Sequence, residues 1–335
     1  MLRKLIFISI LALLLSCSKT HEELENVTPQ LMQIPEGFPD VVFPEDNSFT
    51  YERWLLGKKL FYDPLMSVDE SISCSSCHKQ AFAFADESSF TDGVFNRKGK
   101  RNVPTLSNVA YQPYFTSEGG VPTLEMQILV PIQEHNEFDF NIVLLAERLK
   151  KDSTYKEMSL KSYGREPDHF VITRALACFE RSLISGNSTY DRFIKGEAFL
   201  TTEEELGMSI FFGNQANCSS CHRGYNFSNY SFENNGLYLN YEDEGRKRLT
   251  GNTVDDALFK VPTLRNIELT APYMHDGSIS SLEDVIEHYA SGGKDHPHKS
   301  QLIKGINLTI KEKQALIKFL QTLTDYTFIE NPLFN

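Results

Sequence analysis

The chain has 335 residues, 41% of them hydrophobic, with 33 Lys and Arg against 45 Asp and Glu and a net charge of −12. That composition suits a globular chain long enough for two domains and excludes a disordered polymer. The acid excess argues against nucleic acid as a partner and favours a basic protein partner.

Met1 to Cys17 has the pattern of an export signal. Arg3 and Lys4 precede the apolar run Leu5 to Leu15, which is too short to span a bilayer and has the length of a signal-peptide core. Leu14-Leu15-Ser16-Cys17 resembles a bacterial lipobox, in which the Cys is acylated and becomes the first mature residue. The anchor is then the lipid on Cys17 and not a helix. An ordinary signal peptide with an incidental Cys17 is the alternative. Loss of residues 1–16 takes Lys and Arg from 33 to 31, leaves 45 acids, and gives a charge of −14. Residues 18–47, with four prolines and little periodicity, read as a tether from membrane to domain. These features place the protein in the cell envelope, on the periplasmic side.

From Ser48 the pattern becomes helical. Trp54, Leu55 and Leu60 share a helical spacing over Tyr51 to Phe61, and Asp63-Pro64 stops it. Then comes Cys74-Ser75-Ser76-Cys77-His78, repeated at Cys218-Ser219-Ser220-Cys221-His222. Cys-x-x-Cys-His is the attachment motif of c-type haem. Two thiols add across the porphyrin vinyl groups, and the next residue offers an imidazole to the iron, here His78 and His222. Four thiolates around one zinc is the rival reading. It leaves the His after each pair unexplained and suits an exported protein poorly. Two covalently bound haem c groups are therefore expected.

Ala81 to Asp86 and Lys98 to Thr105 read as loops over the first haem. Leu124–Val130, Val143–Leu149 and Phe170–Leu183 read as helices. So does Glu204–Phe212, with Thr at its start and acids in its first turn, and so do Ser281–Tyr289 and Ile310–Leu323. Strand signals are few. The fold class is mostly α, as two cytochrome c-like haem domains, 48–190 and 191–335. Val103-Pro104-Thr105-Leu106-Ser107-Asn108 is echoed by Val261-Pro262-Thr263-Leu264-Arg265-Asn266, which suggests duplication of one unit. With Cys17 lipidated and four Cys on haem, Cys178 is left alone as a buried structural thiol.

From Leu56 to the C-terminus the chain resembles the bacterial di-haem cytochrome c peroxidase family, including its MauG-like branch. The segments that carry this are Leu56-Gly57-Lys58-Lys59-Leu60-Phe61-Tyr62-Asp63-Pro64, Arg101-Asn102-Val103-Pro104-Thr105 and Pro131-Ile132-Gln133-Glu134-His135-Asn136-Glu137. Later come Thr270-Ala271-Pro272-Tyr273-Met274-His275-Asp276-Gly277 and His288-Tyr289-Ala290-Ser291-Gly292-Gly293. The resemblance implies a peroxide site at the His78 haem, an electron-collecting haem at His222, and calcium between them. It places the catalytic acid–base group at Glu137, with Gln127 lining the same pocket and His135 as a lesser rival. Calcium carries over to the Asn102 side chain and the Thr270 and Pro272 carbonyls.

The family's distal His falls at Val94, which cannot ligate iron, so the resemblance implies an open first haem. The distal ligand of the second iron falls at Tyr289, with Met274 as the rival on chemistry. The Trp found between the haems of many relatives is replaced here by Ser117, and Tyr114 and Phe115 are both candidates for the electron route. The function implied is reduction of hydrogen peroxide to water with electrons from a small cytochrome or other redox donor. The alternatives are MauG-like oxidation of Tyr or Trp in a partner protein, and a di-haem electron carrier without catalysis.

Overall fold

The computed structural model describes residues 31–335, so the export signal, the Cys17 lipid site and the first part of the tether lie outside the described residues. Helix Tyr51–Tyr62 starts at Thr50, whose side chain accepts from the Arg53 N–H, and stops at Asp63 before Pro64. It crosses helix His169–Arg181, capped by Asp168. The crossing is close because Gly57 has no side chain: a Cβ there would lie 1.9 Å from the Ala175 carbonyl oxygen and 2.9 Å from the Phe179 Cβ. One turn on, the Phe61 and Phe179 rings pack with centroids 5.0 Å apart. Trp54 is buried beside them and donates its Nε1–H to Ser182 at 2.8 Å.

The second half builds the same joint. Helices Thr202–Phe212 and Ile310–Gln321 both start in capping boxes, Thr201 with Glu204 and Thr309 with Glu312. A Cβ on Gly207 would lie 1.9 Å from the Ala315 oxygen and 2.8 Å from the Phe319 Cβ. The Phe211 and Phe319 rings pack at 5.1 Å. The spacings Gly57–Phe61 and Ala175–Phe179 recur at Gly207–Phe211 and Ala315–Phe319.

The sequence echo has a structural counterpart too. Asn108 and Asn266 are both left-handed, with φ of 59°. Asn108 donates its N–H to Leu183 at 2.8 Å and accepts from the Ser185 N–H at 2.8 Å. Asn266 donates to Leu323 at 3.1 Å and accepts from the Asp325 N–H at 2.8 Å. Each Asn thus ties its haem-side loop to the end of its half's last long helix.

Two apolar cores result, one around Trp54, Phe61, Phe84 and Phe179, the other around Phe211, Phe227, Phe319 and Leu323. The C-terminal residues Phe328 and Phe334 return to the first core, packing on Phe84 at 5.5 and 6.1 Å. Residues at the end of the stretch read as tether also pack down: Asn47 is buried and donates to Glu125 at 2.9 Å. Among the described residues the one sheet is the antiparallel pair Phe232–Glu233 and Phe259–Lys260. None of their helices is long and apolar enough to cross a membrane.

Two elements differ from the sequence reading. The helix expected over Leu124–Val130 is two short pieces, Leu124–Gln127 and Leu129–Gln133. Pro131 lacks the N–H that would bond the Gln127 carbonyl, so the ladder breaks there. Helix Ser153–Tyr163, capped by Asp152 and ended by left-handed Gly164, had not been expected.

Candidate active site

Each Cys-x-x-Cys-His turn holds its imidazole the same way. His78 Nδ1 lies 2.8 Å from the Phe84 carbonyl oxygen, and His222 Nδ1 lies 3.1 Å from that of Phe227. A carbonyl on Nδ1 fixes the ring and leaves Nε2 as the free lone pair, the arrangement of a metal-ligating His. Burial pushes both imidazoles down, His222 to about 4, so both are neutral and able to ligate. The Pro-Thr-Leu echo acts here. Thr105 Oγ1 donates to the Ala83 carbonyl at 2.5 Å, and Thr263 Oγ1 donates to that of Asn226 at 2.7 Å. In each half the Thr grips the residue just before the carbonyl that orients the His.

Cys74 packs against the first core and Cys218 against the second. Among the described residues no three His, Cys, Asp or Glu side chains converge as a metal site. The four-thiolate zinc alternative therefore has no place, and each thiol pair with its buried, carbonyl-held imidazole fits haem c.

Glu137 is half-buried by surface, yet burial of its carboxyl, with Glu134 adding repulsion, pushes its pKa up to about 7. Its charge raises the pKa of both Cys74 and Cys77, so it lies within electrostatic range of the first thiol pair. Gln127 Oε1 is buried without a hydrogen-bond partner. A buried amide oxygen left unpaired by the protein calls for a partner from a bound group. His135 points away: its side chain is 69% exposed and its Nδ1 lies 2.8 Å from Arg97.

The segment holding Glu137 is braced by residues 93–97. Val94 donates its N–H to the Glu137 carbonyl at 2.9 Å. Arg97 binds the His135 carbonyl and reaches Asp139 at 2.8 Å. Gly93 lies so close that a Cβ would sit 2.0 Å from the Asn136 carbonyl oxygen. Gly93→Ala should therefore displace Glu137, keep both haems and lose most of the peroxide rate. Stopped-flow mixing with a pyridine haem assay on the same sample checks this. The sequence reading missed this brace, because nothing in Gly93 or Arg97 marks a partner some 40 residues on.

At the second site Tyr289 and Met274 sit together. Tyr289 is close enough to feel Cys218 and Cys221, and burial pushes its phenol up to about 12. Asn235 lies by both side chains: it donates to Met274 Sδ at 3.1 Å, and it draws the Tyr289 phenol's pKa down against the effect of burial. An Asn-Asn-Gly turn was the only sequence signal for Asn235.

Between the halves, Asn102 Oδ1 is buried without a partner, and the same carboxamide faces the Pro272 carbonyl. An orphaned amide oxygen next to a backbone carbonyl is a pair of hard oxygen donors that suits a cation such as calcium once the carboxamide turns its oxygen towards it. Tyr114 stacks on Phe232 at 5.1 Å and donates to the Tyr230 carbonyl, whereas Phe115 is buried in the first core. Ser117 contributes its backbone carbonyl, accepting from Lys260 N–H at 2.7 Å. Cys178 is fully buried and its thiol is pushed up to about 12, as a structural Cys should be.

Residues 51–199 match the family model described as di-haem cytochrome c peroxidase. The chain is 34% identical to a methylamine utilization protein MauG of Methylorubrum extorquens over 86% of this chain and 82% of that protein. It is 32% identical to a cytochrome c551 peroxidase of Nitrosomonas europaea, over 80% and 79% of the two chains. A solved MauG-like protein associated with microbial copper homeostasis superposes with a TM-score of 0.87 at 33% identity, covering 90% of this chain and 98% of that one.

Proposed function

The chain belongs to the di-haem cytochrome c peroxidase family, and from that premise we propose that it reduces hydrogen peroxide to water at the His78 site. The observation that carries this is Glu137, a carboxyl whose burial raises its pKa to about 7 within electrostatic range of the first thiol pair. Haem c held by Cys74, Cys77 and His78, and by Cys218, Cys221 and His222, supplies one-electron redox centres and, at the first, an iron face for peroxide. The overall balance is one H2O2, two protons and two electrons to two waters.

Glu137 takes the proton from the near peroxide oxygen and returns it to the far one, so that the far oxygen leaves as water. Gln127 orients the peroxide through its unpaired amide oxygen. Val94 puts an apolar side chain where a ligating His would close the pocket. Electrons enter at the His222 side from a small cytochrome or other donor. The Tyr114–Phe232 stack supports Tyr114 over Phe115 as the contact between halves.

The second reading is peroxide-driven oxidation of Tyr or Trp in a partner protein. The burial of Tyr289 beside the second thiol pair favours it. A carrier without catalysis would have no use for a Glu137 whose carboxyl is covered and raised in pKa. Supplying peroxide with a reduced cytochrome in one vessel and a co-expressed partner in another separates the readings. Oxidised cytochrome supports the peroxidase, and new Tyr or Trp cross-links without it support the second reading.

Calcium at Asn102, Thr270 and Pro272 belongs to the same proposal. A chelator should lower the thermal midpoint of the wild type and leave that of Asn102→Ala unmoved; equal shifts in both would remove calcium from this site. A lipid on Cys17 would hold the protein at the periplasmic face of a membrane.

A further inference from the structure

Asn235 lies between the two side chains that compete for the second iron. Its Nδ2 is 3.1 Å from the Met274 sulfur, and the same side chain lies near enough to the Tyr289 hydroxyl to draw that phenol's pKa down against the effect of burial. The carboxamide is not free to turn. Its Oδ1 accepts the Leu237 N–H at 3.2 Å, closing an Asx turn, and the Tyr241 hydroxyl lies 3.5 Å away. The Asn235 carbonyl lies 3.0 Å from Nε2 of His288, the residue before Tyr289. Behind it Asn234, 1% exposed, accepts from the Gly236 N–H at 2.8 Å and donates to Ala257 at 3.0 Å. With Oδ1 committed to the turn, only the N–H end faces Tyr289 and Met274.

That N–H treats the two candidates differently. A thioether is a weak acceptor, and a sulfur lone pair engaged by N–H is drawn towards the turn. A phenol oxygen on a metal keeps acceptor capacity and no donor. Buried there, it is costly to leave unsatisfied, so it gains most from a fixed donor. Met274 is itself pinned by its backbone, with φ of 78°.

We propose that Asn235 is the positioning residue that gives the second iron to Tyr289, by holding the Met274 sulfur and donating to the Tyr289 oxygen. This rests on Tyr289 being the iron ligand. Tyr ligation lowers a haem potential and Met ligation raises it, so Asn235 also sets the potential at which the second haem passes electrons.

The test uses the purified di-haem protein, read by ferric optical and EPR spectra and by redox titration, with haem content checked first. Tyr289→Phe should change the ferric signature of the second haem. Asn235→Leu, which removes the donor, should convert that signature from phenolate to thioether type and raise the midpoint potential. Adding Met274→Leu should abolish the thioether signature. Asn235→Asp keeps the Leu237 contact while removing the N–H, should act in the same direction, and carries the test if the Leu variant fails to fold. If Tyr289→Phe alters nothing, the ligand reading falls and the inference with it. If Tyr289→Phe acts but both Asn235 variants keep the phenolate signature and the wild-type potential, Tyr289 stands and the role of Asn235 is overturned.

Discussion

Glu137→Gln should keep both haems and the fold, yet react with peroxide about 10²–10⁴-fold more slowly in stopped flow. Glutamine fills the same space and cannot take a proton. The wild type should also show an acid limb. Glu137 accepts a proton only as the carboxylate, and burial pushes its pKa up to about 7. The rate should level off above that pH and fall roughly tenfold per unit below it, and the Gln variant should lose this limb. His135→Gln should change little, since that ring is exposed and tied to Arg97. A wild-type rate in Glu137→Gln with a dead His135→Gln would move the proton transfer to His135.

Gly57→Ala and Gly207→Ala should each destabilise the protein by about 3 kcal/mol or more, the upper range for forcing atoms into a packed joint. The obstacle in both cases is a backbone carbonyl, 1.9 Å from the added Cβ, so no rotamer change relieves it. The two helices of that half must separate, opening the joint between them. Denaturant titration of the two variants should give similar losses, because the two joints share one geometry. A loss at Gly57 only would break the equivalence of the halves.

The haem turns were legible because covalent attachment imposes a strict local spacing, and local spacing is what a sequence displays. The helix cap at Thr201 was legible for the same reason. The echo of Val103 to Asn108 at Val261 to Asn266 was visible as a repeat. Its cause was not, since Thr105 acts on Ala83 and Thr263 on Asn226, contacts that exist only once the loop has closed. Gly57 and Gly207 read as weak helix residues until the partner helix is in place. Helix Ser153–Tyr163 escaped notice because few of its residues face a core, although Asp152 and Gly164 mark its ends. The bracing of Glu137 by Gly93, Val94 and Arg97 left no trace in sequence, because it joins two irregular loops. Tyr114 and Phe115 were indistinguishable as neighbours, and packing separates them: one stacks across the halves, the other joins the first core.

The measurement that tests the central claim most directly mixes the fully oxidised, donor-free protein with one equivalent of hydrogen peroxide and follows the haem spectrum. If Val94 takes the distal position, as the family register implies, the first iron should be high-spin at rest and should react at once without prior reduction. Two equivalents of reduced cytochrome should then restore the starting spectrum. A resting protein that is wholly low-spin and inert to peroxide until reduced would contradict the account.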